Sequence, residues 1–254
     1  MDNIRNIFYD KWLTEIIGKE SYNLKLDEEF IVRSKKNGTE EKKWIHSIQS
    51  NNNKPVFIQT KVSTQSLDFI KYLEGIGFFL IDTNVTLKKE IDLPYCNNIK
   101  NDVYDVTIRF AKNPDKKGVI FVAGNTFIYS RYHLDPWFSN ELANRIKAQW
   151  VSSYFDGRRG EQMVVALSKN KIISFLQILK PENNFFIIDL IGVKKNHQRR
   201  GIAEKMINFA IQENKGINKV IVGTQIGNIP SIKLYQKMDF FLDNAKYVFH
   251  LHQD

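Results

Sequence analysis

Residues 189–203 bring together what an anion-binding turn needs. Asp189–Val193 is an apolar run of strand character, and it passes through the basic turn Lys194-Lys195-Asn196-His197 into Gln198-Arg199-Arg200-Gly201-Ile202-Ala203. Helical periodicity begins at once. A helix that opens at a glycine presents backbone N–H groups with no intrahelical acceptor, together with the positive end of its dipole. A pyrophosphate suits that position. Gly201 permits close backbone approach, Ala203 keeps the first turn uncrowded, and Arg199 and Arg200 add charge-assisted donors. The same hexapeptide also reads as an ordinary helix start that happens to hold Gly and Arg.

A second group follows the apolar segment Lys219–Gly223. It runs Asn228-Ile229-Pro230-Ser231-Ile232-Lys233-Leu234-Tyr235-Gln236-Lys237-Met238-Asp239-Phe240. Taken in order with Ile191-x-Val193 and the Gln198–Ala203 loop, it makes residues 103–254 resemble the GNAT acyltransferases. The family has Ala where Ser231 stands and Gly where Asp239 stands, and an acid at a helix C-terminus opposes the dipole. The resemblance implies acetyl-CoA as cosubstrate and a task for each residue. Ile191 and Val193 would offer backbone groups to the thioester carbonyl and the pantetheine amides. Gln198, Arg199, Arg200, Gly201, Ile202 and Ala203 would cradle the pyrophosphate, and Asn228 would bond the pantetheine arm. Tyr235 would protonate the departing thiolate, which leaves more readily when a positioned O–H takes up its charge. Without the family, Tyr235 beside Leu234 reads as a core aromatic.

Further stretches resemble the acetyltransferases of dTDP-fucosamine (dTDP-4-amino-4,6-dideoxygalactose), weakly over residues 1–60 and more closely after 75. They are Trp12 with Gly18, Gly77-Phe78-Phe79-Leu80-Ile81-Asp82, Ser130-Arg131-Tyr132, Ala148-Gln149-Trp150 and Thr224-Gln225-x-Gly227-Asn228. That resemblance implies transfer to the 4-amino group of a nucleotide-linked 4-amino-4,6-dideoxy sugar, by direct attack in a ternary complex. Asp82 matches the acidic residue expected to act as base. An alkyl amine titrating at or above about 7.7–8.0 arrives partly protonated, so a carboxylate, directly or through one water, would both bind it and take its proton. Asp82 reads equally as the start of a turn, Asp82-Thr83-Asn84. By the same resemblance Tyr132, His133 and Asp135 border the acceptor, with Tyr132 stacking on it and His133 as a phosphate contact or alternative base. His133 in a polar loop reads also as a solvated bystander, and Trp150, at helical spacing from Ile146, as core; Trp137 shares that caution.

These residues need elements to hold them. Pro55–Thr60 reads as a strand, Ser66–Glu74 as a helix stopped by Gly75 or Gly77, and Phe78–Ile81 and Val85–Leu87 as two strands. Cys96–Asp102 reads as a linker. Beyond it come a strand, Val103–Phe110, a helix after Pro114–Lys117 carrying Val119, Ile120, Val122 and Phe127, and a helix Asn140–Tyr154. Strands Gln162–Leu167, Ile172–Leu179 and Phe185–Val193 are spaced as antiparallel hairpins. Helix Gly201–Glu213, strand Lys219–Gly223, helix Ile229–Met238 and strand Tyr247–His252 complete the order. The fold class is α/β (α+β), the GNAT fold: a mixed central sheet flanked by helices. A smaller N-terminal α/β domain, residues 1–100, would contribute to the acceptor site, and residues 101–254 would form the acetyltransferase domain.

The 254 residues are 43% hydrophobic and 13% aromatic, a globular composition, and carry a net charge of +9. That charge suits a polyanionic ligand such as CoA or a nucleotide sugar, and alone it does not exclude nucleic acid or an anionic membrane. Basic pairs such as Lys35-Lys36 and Lys42-Lys43 form no stripe interleaved with aromatics, so neither nucleic acid nor membrane is expected as partner. The one cysteine, Cys96, excludes an internal disulfide and multi-Cys zinc sites. His46, His197, His250 and His252 show no ligand-like spacing with acids, so no metal is expected. No run approaches the ~20 apolar residues of a membrane span, and a cytoplasmic location follows as the expectation. A homodimer stays open, as do a GNAT enzyme for peptides or small amines and a non-catalytic CoA- or nucleic-acid-binding module.

Overall fold

The computed structural model describes residues 6–26, 40–50, 55–92, 106–182 and 184–253. Lys35-Lys36, Cys96, the linker Cys96–Asp102 and residues 103–105 of the expected strand lie outside them. Contacts divide the chain into two units. The first takes Met1–Asn84, Leu134–Phe138 and Ala245–Asp254; the second takes Val85–His133 and Ser139–Asn244.

In the first unit, β1 (Ile7–Tyr9) runs antiparallel to β2 (Glu20–Leu24), and β2 runs parallel to β3 (Val56–Ser63). Between β1 and β2, α1 (Lys11–Ile17) starts on the Asp10 carboxylate, which accepts from the Leu13 amide, and stops at Gly18 with φ 74. Helix α2 (Glu40–Ser50) precedes β3, and α3 (Leu67–Gly75) follows it. Next come β4 (Phe79–Glu90), of which this unit takes the residues up to Asn84, and, at the far end of the chain, β10 (Phe241–Gln253), of which it takes those from Ala245. Strand β10 pairs antiparallel with β3 so that His252 faces Phe57 and His250 faces Gln59. The strand order is β1-β2-β3-β10-β4. Tyr22, Ile45, Ile58, Leu73, Phe249 and Leu251 form the core of this unit.

Here the structure departs from the sequence expectation. Phe78–Ile81 and Val85–Leu87 are one strand, and Asp82-Thr83-Asn84 lies inside it with no turn. Strand β10 neighbours β4 in the sheet, and pairing with a strand from far along the chain favours the extended form for turn-prone residues. The last strand likewise begins at Phe241, six residues before Tyr247, through the polar Asp243 and Asn244.

The second unit holds β5 (Val106–Phe110), β6 (Gln162–Ser168), β7 (Lys171–Glu182), β8 (Phe185–Val193) and β9 (Lys219–Gln225). Strands β5 to β8 are successive antiparallel neighbours, as the hairpin spacing predicts, and β8–β9 is parallel. The order β9-β8-β7-β6-β5 therefore makes a mixed sheet. Helices α4 (Lys116–Ala123), α5 (Arg131–Leu134), α6 (Asn140–Phe155), α7 (Ile202–Glu213) and α8 (Ile229–Lys237) complete it. Phe127 falls beyond α4, which ends at Ala123. Val119 and Val122 of α4 and Val151 of α6 pack with Met163, Val165 and Phe175 of the strands, while α7 buries Met206, Ile207, Ala210 and Ile211. This pattern of helices on a mixed sheet is the α/β class read from the sequence.

Candidate functional site

The site begins where β8 loses a neighbour. Along one edge β8 pairs with β7 as far as Val193↔Ser174, but along the other its pairing with β9 runs only from Phe185↔Lys219 to Ile188↔Val222. Both strands continue, to Val193 and Gln225. The Lys194 amide donates to the Ile173 carbonyl at 2.8 Å, which fixes the phase of the β7–β8 ladder. Alternate residues of an antiparallel pair send both backbone groups to the partner, so Leu190 and Gly192 face β7 while Ile191 and Val193 turn theirs to the edge that β9 has left. The Val193 carbonyl on that edge accepts from Gln198 Nε2 at 3.0 Å. Gly192 fits because a Cβ there would stand 2.9 Å from Phe175 Cε1. Asp189, at the start of this stretch, takes Arg159 Nε and Nη2 at 2.8 and 2.6 Å and the Trp150 indole N–H at 3.0 Å.

The chain then turns through Lys195–His197 into the helix start. Arg199 (φ 60) and Gly201 (φ 72) are both left-handed, a backbone that curls successive N–H groups into an anion-holding concavity. The first helical bond of α7 runs from the Lys205 amide to the Gly201 carbonyl, so the amides of Ile202, Ala203 and Glu204 precede the ladder. A Cβ added at Gly201 would meet nothing within 4 Å. The space ahead of the helix is open, and φ alone selects glycine. Arg199 and Arg200 are exposed beside it, Ala203 is half-buried and Ile202 is buried beneath. Partial burial, then the Arg200 and Lys194 cations, lower the pKa of His197, so its ring is neutral at pH 7. Glu204, an acid in the first turn, is neutralised by Lys237 Nζ at 2.7 Å.

Asn228 caps α8. Its Oδ1 accepts from the Ser231 amide and its Nδ2 donates to Thr224 Oγ1 at 3.1 Å, so part of its hydrogen-bonding capacity serves the helix start. Tyr235 is buried, with its ring 5.4 Å from that of Phe240. Burial holds its phenol well above the ordinary range, so it keeps its proton. Asp239, which closes α8, has φ 62, a conformation that explains the family's glycine. Asp is tolerated there because Lys89 Nζ donates to the Met238 carbonyl at 2.7 Å and lies 3.4 Å from the Asp239 carboxylate. The awkward charge expected from the sequence has a cation beside it.

The acceptor-side residues are placed as follows. Asp82 belongs to the first unit and is 9% exposed, with Oδ2 lacking a hydrogen-bond partner among the described residues. Burial raises its pKa to about 6, against lowering by the Thr83 amide and Lys61. Tyr132, in the second unit, is 1% exposed and its hydroxyl accepts from Arg131 Nη2 at 2.8 Å, so its ring is enclosed and offers no face for stacking. His133 has both nitrogens engaged, Nδ1 with Ser130 Oγ at 2.6 Å and Nε2 with Asn144 Oδ1 at 3.0 Å. Burial, opposed by the Asn144 bond and aided by Lys147, lowers its pKa, so it is a held, neutral ring, not a solvated one. One cluster has no trace in sequence spacing. Asp135 Oδ2 lies 2.6 Å from His250 Nδ1 and 2.8 Å from His252 Nε2, across 115 and 117 positions. The spacing of His250 and His252 alone gave no acid, and the fold supplies one.

Residues 126–240 match the acetyltransferase (GNAT) family. The spore coat polysaccharide biosynthesis protein SpsD of Bacillus subtilis (strain 168) is 30% identical over 139 residues, 54% of this chain and 47% of SpsD, so the match spans about half the length of that relative. A GCN5-related N-acetyltransferase from Sphaerobacter thermophilus has a similar structure, with a TM-score of 0.61 at 14% identity over 91% of this chain and 72% of that one. The tandem GNAT protein from the clavulanic acid biosynthesis pathway gives 0.62 at 10% identity, over 93% and 76%.

Proposed function

We propose, from the premise that residues 126–240 are a GNAT acetyltransferase domain, that the protein is an acetyl-CoA-dependent N-acetyltransferase whose acceptor is a nucleotide-linked 4-amino-4,6-dideoxy sugar. The single observation that carries the reading is the pairing of a vacated β8 edge with a glycine-opened helix start. That pair supplies backbone donors and acceptors for an amide-bearing arm and, one turn away, amides and arginines for a diphosphate. The residues fit acetyl-CoA, which supplies an activated acetyl thioester. Ile191 and Val193 hold the arm, Gln198, Arg199, Arg200, Gly201, Ile202 and Ala203 hold the diphosphate, and Asn228 bonds the arm with the capacity its cap leaves over.

Tyr235 keeps its proton through the physiological range and donates it to the departing sulfur. Asp82 accepts the proton of the sugar ammonium before the amine attacks. With a pKa of about 6 it is mainly ionised at pH 7.5 yet basic enough to hold a proton briefly. The two belong to different units, and each role is tested by itself. The sugar acceptor draws support from SpsD, whose name places it in polysaccharide biosynthesis. We assign the activity to the cytoplasm, where acetyl-CoA and nucleotide sugars meet; among the described residues no helix is long and apolar enough to cross a membrane.

The test is mass spectrometry of products from acetyl-CoA offered with dTDP- and UDP-linked 4-amino-4,6-dideoxy sugars, beside lysine peptides and simple amines. A mass increase of one acetyl group on a nucleotide sugar is the expected result. Acetylation confined to peptides or simple amines would remove the sugar while keeping the enzyme.

A further inference from the structure

We infer that Trp137 is a stacking platform for the base of the nucleotide, held in place by the Asp135–His250–His252 cluster. The proposal rests on the nucleotide-linked acceptor assigned above. All of its residues belong to the first unit.

Trp137 is 51% exposed, whereas Trp12, Trp44 and Trp150 are half-buried. Its ring is nonetheless fixed. The indole lies nearly parallel to His252 (12°, centroids 5.6 Å apart) and packs at a tilt on Phe79 (31°, 4.3 Å). Phe79 and His252 are themselves only 5.9 Å apart, so they cannot lie on opposite faces of the indole. Both support one face, and the exposure belongs to the other.

The mount is costly. Asp135 is 1% exposed, and its Oδ1 accepts from the Trp137 amide at 2.9 Å while its Oδ2 takes both histidines. Phe57 and Phe138 close around His252 at centroid distances of 4.9 and 5.0 Å. Burial raises the Asp135 carboxyl, but the hydrogen bonds from His250 and His252 outweigh it and hold the group ionised. Separations of 2.6 and 2.8 Å are those of hydrogen bonds; two ligands sharing one tetrahedral ion at about 2.0–2.1 Å would stand about 3.3 Å apart. A buried ionic cluster contributes little to net stability compared with an apolar replacement, and its attested use is to enforce one arrangement. Here the arrangement it enforces is the position of residues 135–137 against β10, which presents a flat, rigid, half-open indole.

A planar partner matches that surface. Bases stack on aromatic rings without regard to sequence, which suits recognition of a carrier nucleotide whose chemistry lies elsewhere on the molecule. A rigid platform also spares the ordering cost that a mobile aromatic would incur on binding.

Calorimetric titration of the full chain with dTDP, and separately with ADP and CoA, tests the inference. Trp137→Ala is expected to weaken dTDP binding roughly 5- to 100-fold, and Trp137→Phe to restore most of it, with CoA binding unchanged in both. Asp135→Asn is expected to weaken dTDP binding as well, and to add nothing in the Asp135→Asn/Trp137→Ala double variant, because it acts through the indole. Unchanged dTDP affinity in a Trp137→Ala protein with wild-type circular dichroism overturns the inference. So does a loss of CoA or ADP binding in its place, or failure of the wild type to bind dTDP or UDP at millimolar concentration. If dTDP binds through Trp137 but no nucleotide sugar is acetylated, the acceptor assignment fails and the platform stands. If a nucleotide sugar is acetylated with the same KM by Trp137→Ala, the reverse holds.

Discussion

Asp82 and Tyr235 are both acids that the fold keeps protonated longer than water would, and the difference in degree separates their tasks. A phenol held well above its ordinary range has a proton to give at any physiological pH. Tyr235→Phe keeps the ring and removes that proton; steady-state kinetics should show kcat down by about 10²–10⁴-fold with the KM for acetyl-CoA nearly unchanged. The Asp82 carboxyl, raised from 3.8 to about 6, is neutral in the folded protein at a pH where the unfolded chain has already ionised it. The fold therefore favours its acid form, and the group lowers stability progressively as pH rises from about 4 to about 6, with the full loss present above that. Asp82→Asn should raise the melting temperature at pH 7.5 by an amount equivalent to about 1–3 kcal/mol, and the gain should vanish below about pH 4, where both states are neutral. The same variant should lose the acidic limb near pH 6 from its kcat/KM profile. A residue that stabilises when neutralised and is needed for turnover has the signature of a functional site. No change in melting temperature together with full activity would make Asp82 a passive member of β4.

At the scale of elements, the anion-binding corner depends on backbone conformation more than on side-chain charge. Gly201→Ala introduces a side chain at φ 72 where space is free, so the cost is conformational, about 1–2 kcal/mol, and the KM for acetyl-CoA should rise as the helix start relaxes. Arg199→Ala and Arg200→Ala should raise that KM with a weaker dependence on salt than the wild type shows. At the other end of α8, Lys89→Met should cost about 1–2 kcal/mol by chemical denaturation, since it strips a bond from the Met238 carbonyl and leaves Asp239 alone at the helix terminus. The loop from Asp189 to Ala203 was legible in sequence because strand, glycine and helix follow one another within fifteen residues and local rules govern each. Helices α3, α4, α6, α7 and α8 and the hairpin strands were legible for the same reason, whereas α1, α2 and α5 drew no reading. Asp82-Thr83-Asn84 was not, because its extended form is imposed by neighbours from distant parts of the chain. Nor was the Asp135 cluster, whose members meet only through tertiary structure. His133 looked exposed in a polar loop, yet Ser130 and Asn144 take both of its nitrogens, one of them from another helix.

At the scale of the whole molecule, each unit is assembled from separated stretches of chain. The last residues, Ala245–Asp254, belong with the first eighty-four. Eight register pairs join β10 to β3, and Phe249 and Leu251 are core residues of that unit. Deletion of residues 245–254 should therefore leave β3 without its antiparallel partner and give an aggregating product by size-exclusion chromatography. The half-unpaired β8 carries a different lesson, since the groups it exposes at Ile191 and Val193 are peptide atoms that every amino acid possesses. Alanine scanning would pass over both positions as bystanders, whereas a one-residue deletion between Asp189 and Lys194 would rotate the wrong amides outward. Replacing the amide of residue 191 or 193 with an ester by semisynthesis would expose what side-chain mutagenesis cannot. Selection at Ile191 and Val193 should accordingly act on the register of the stretch and leave the identity of those two side chains comparatively free.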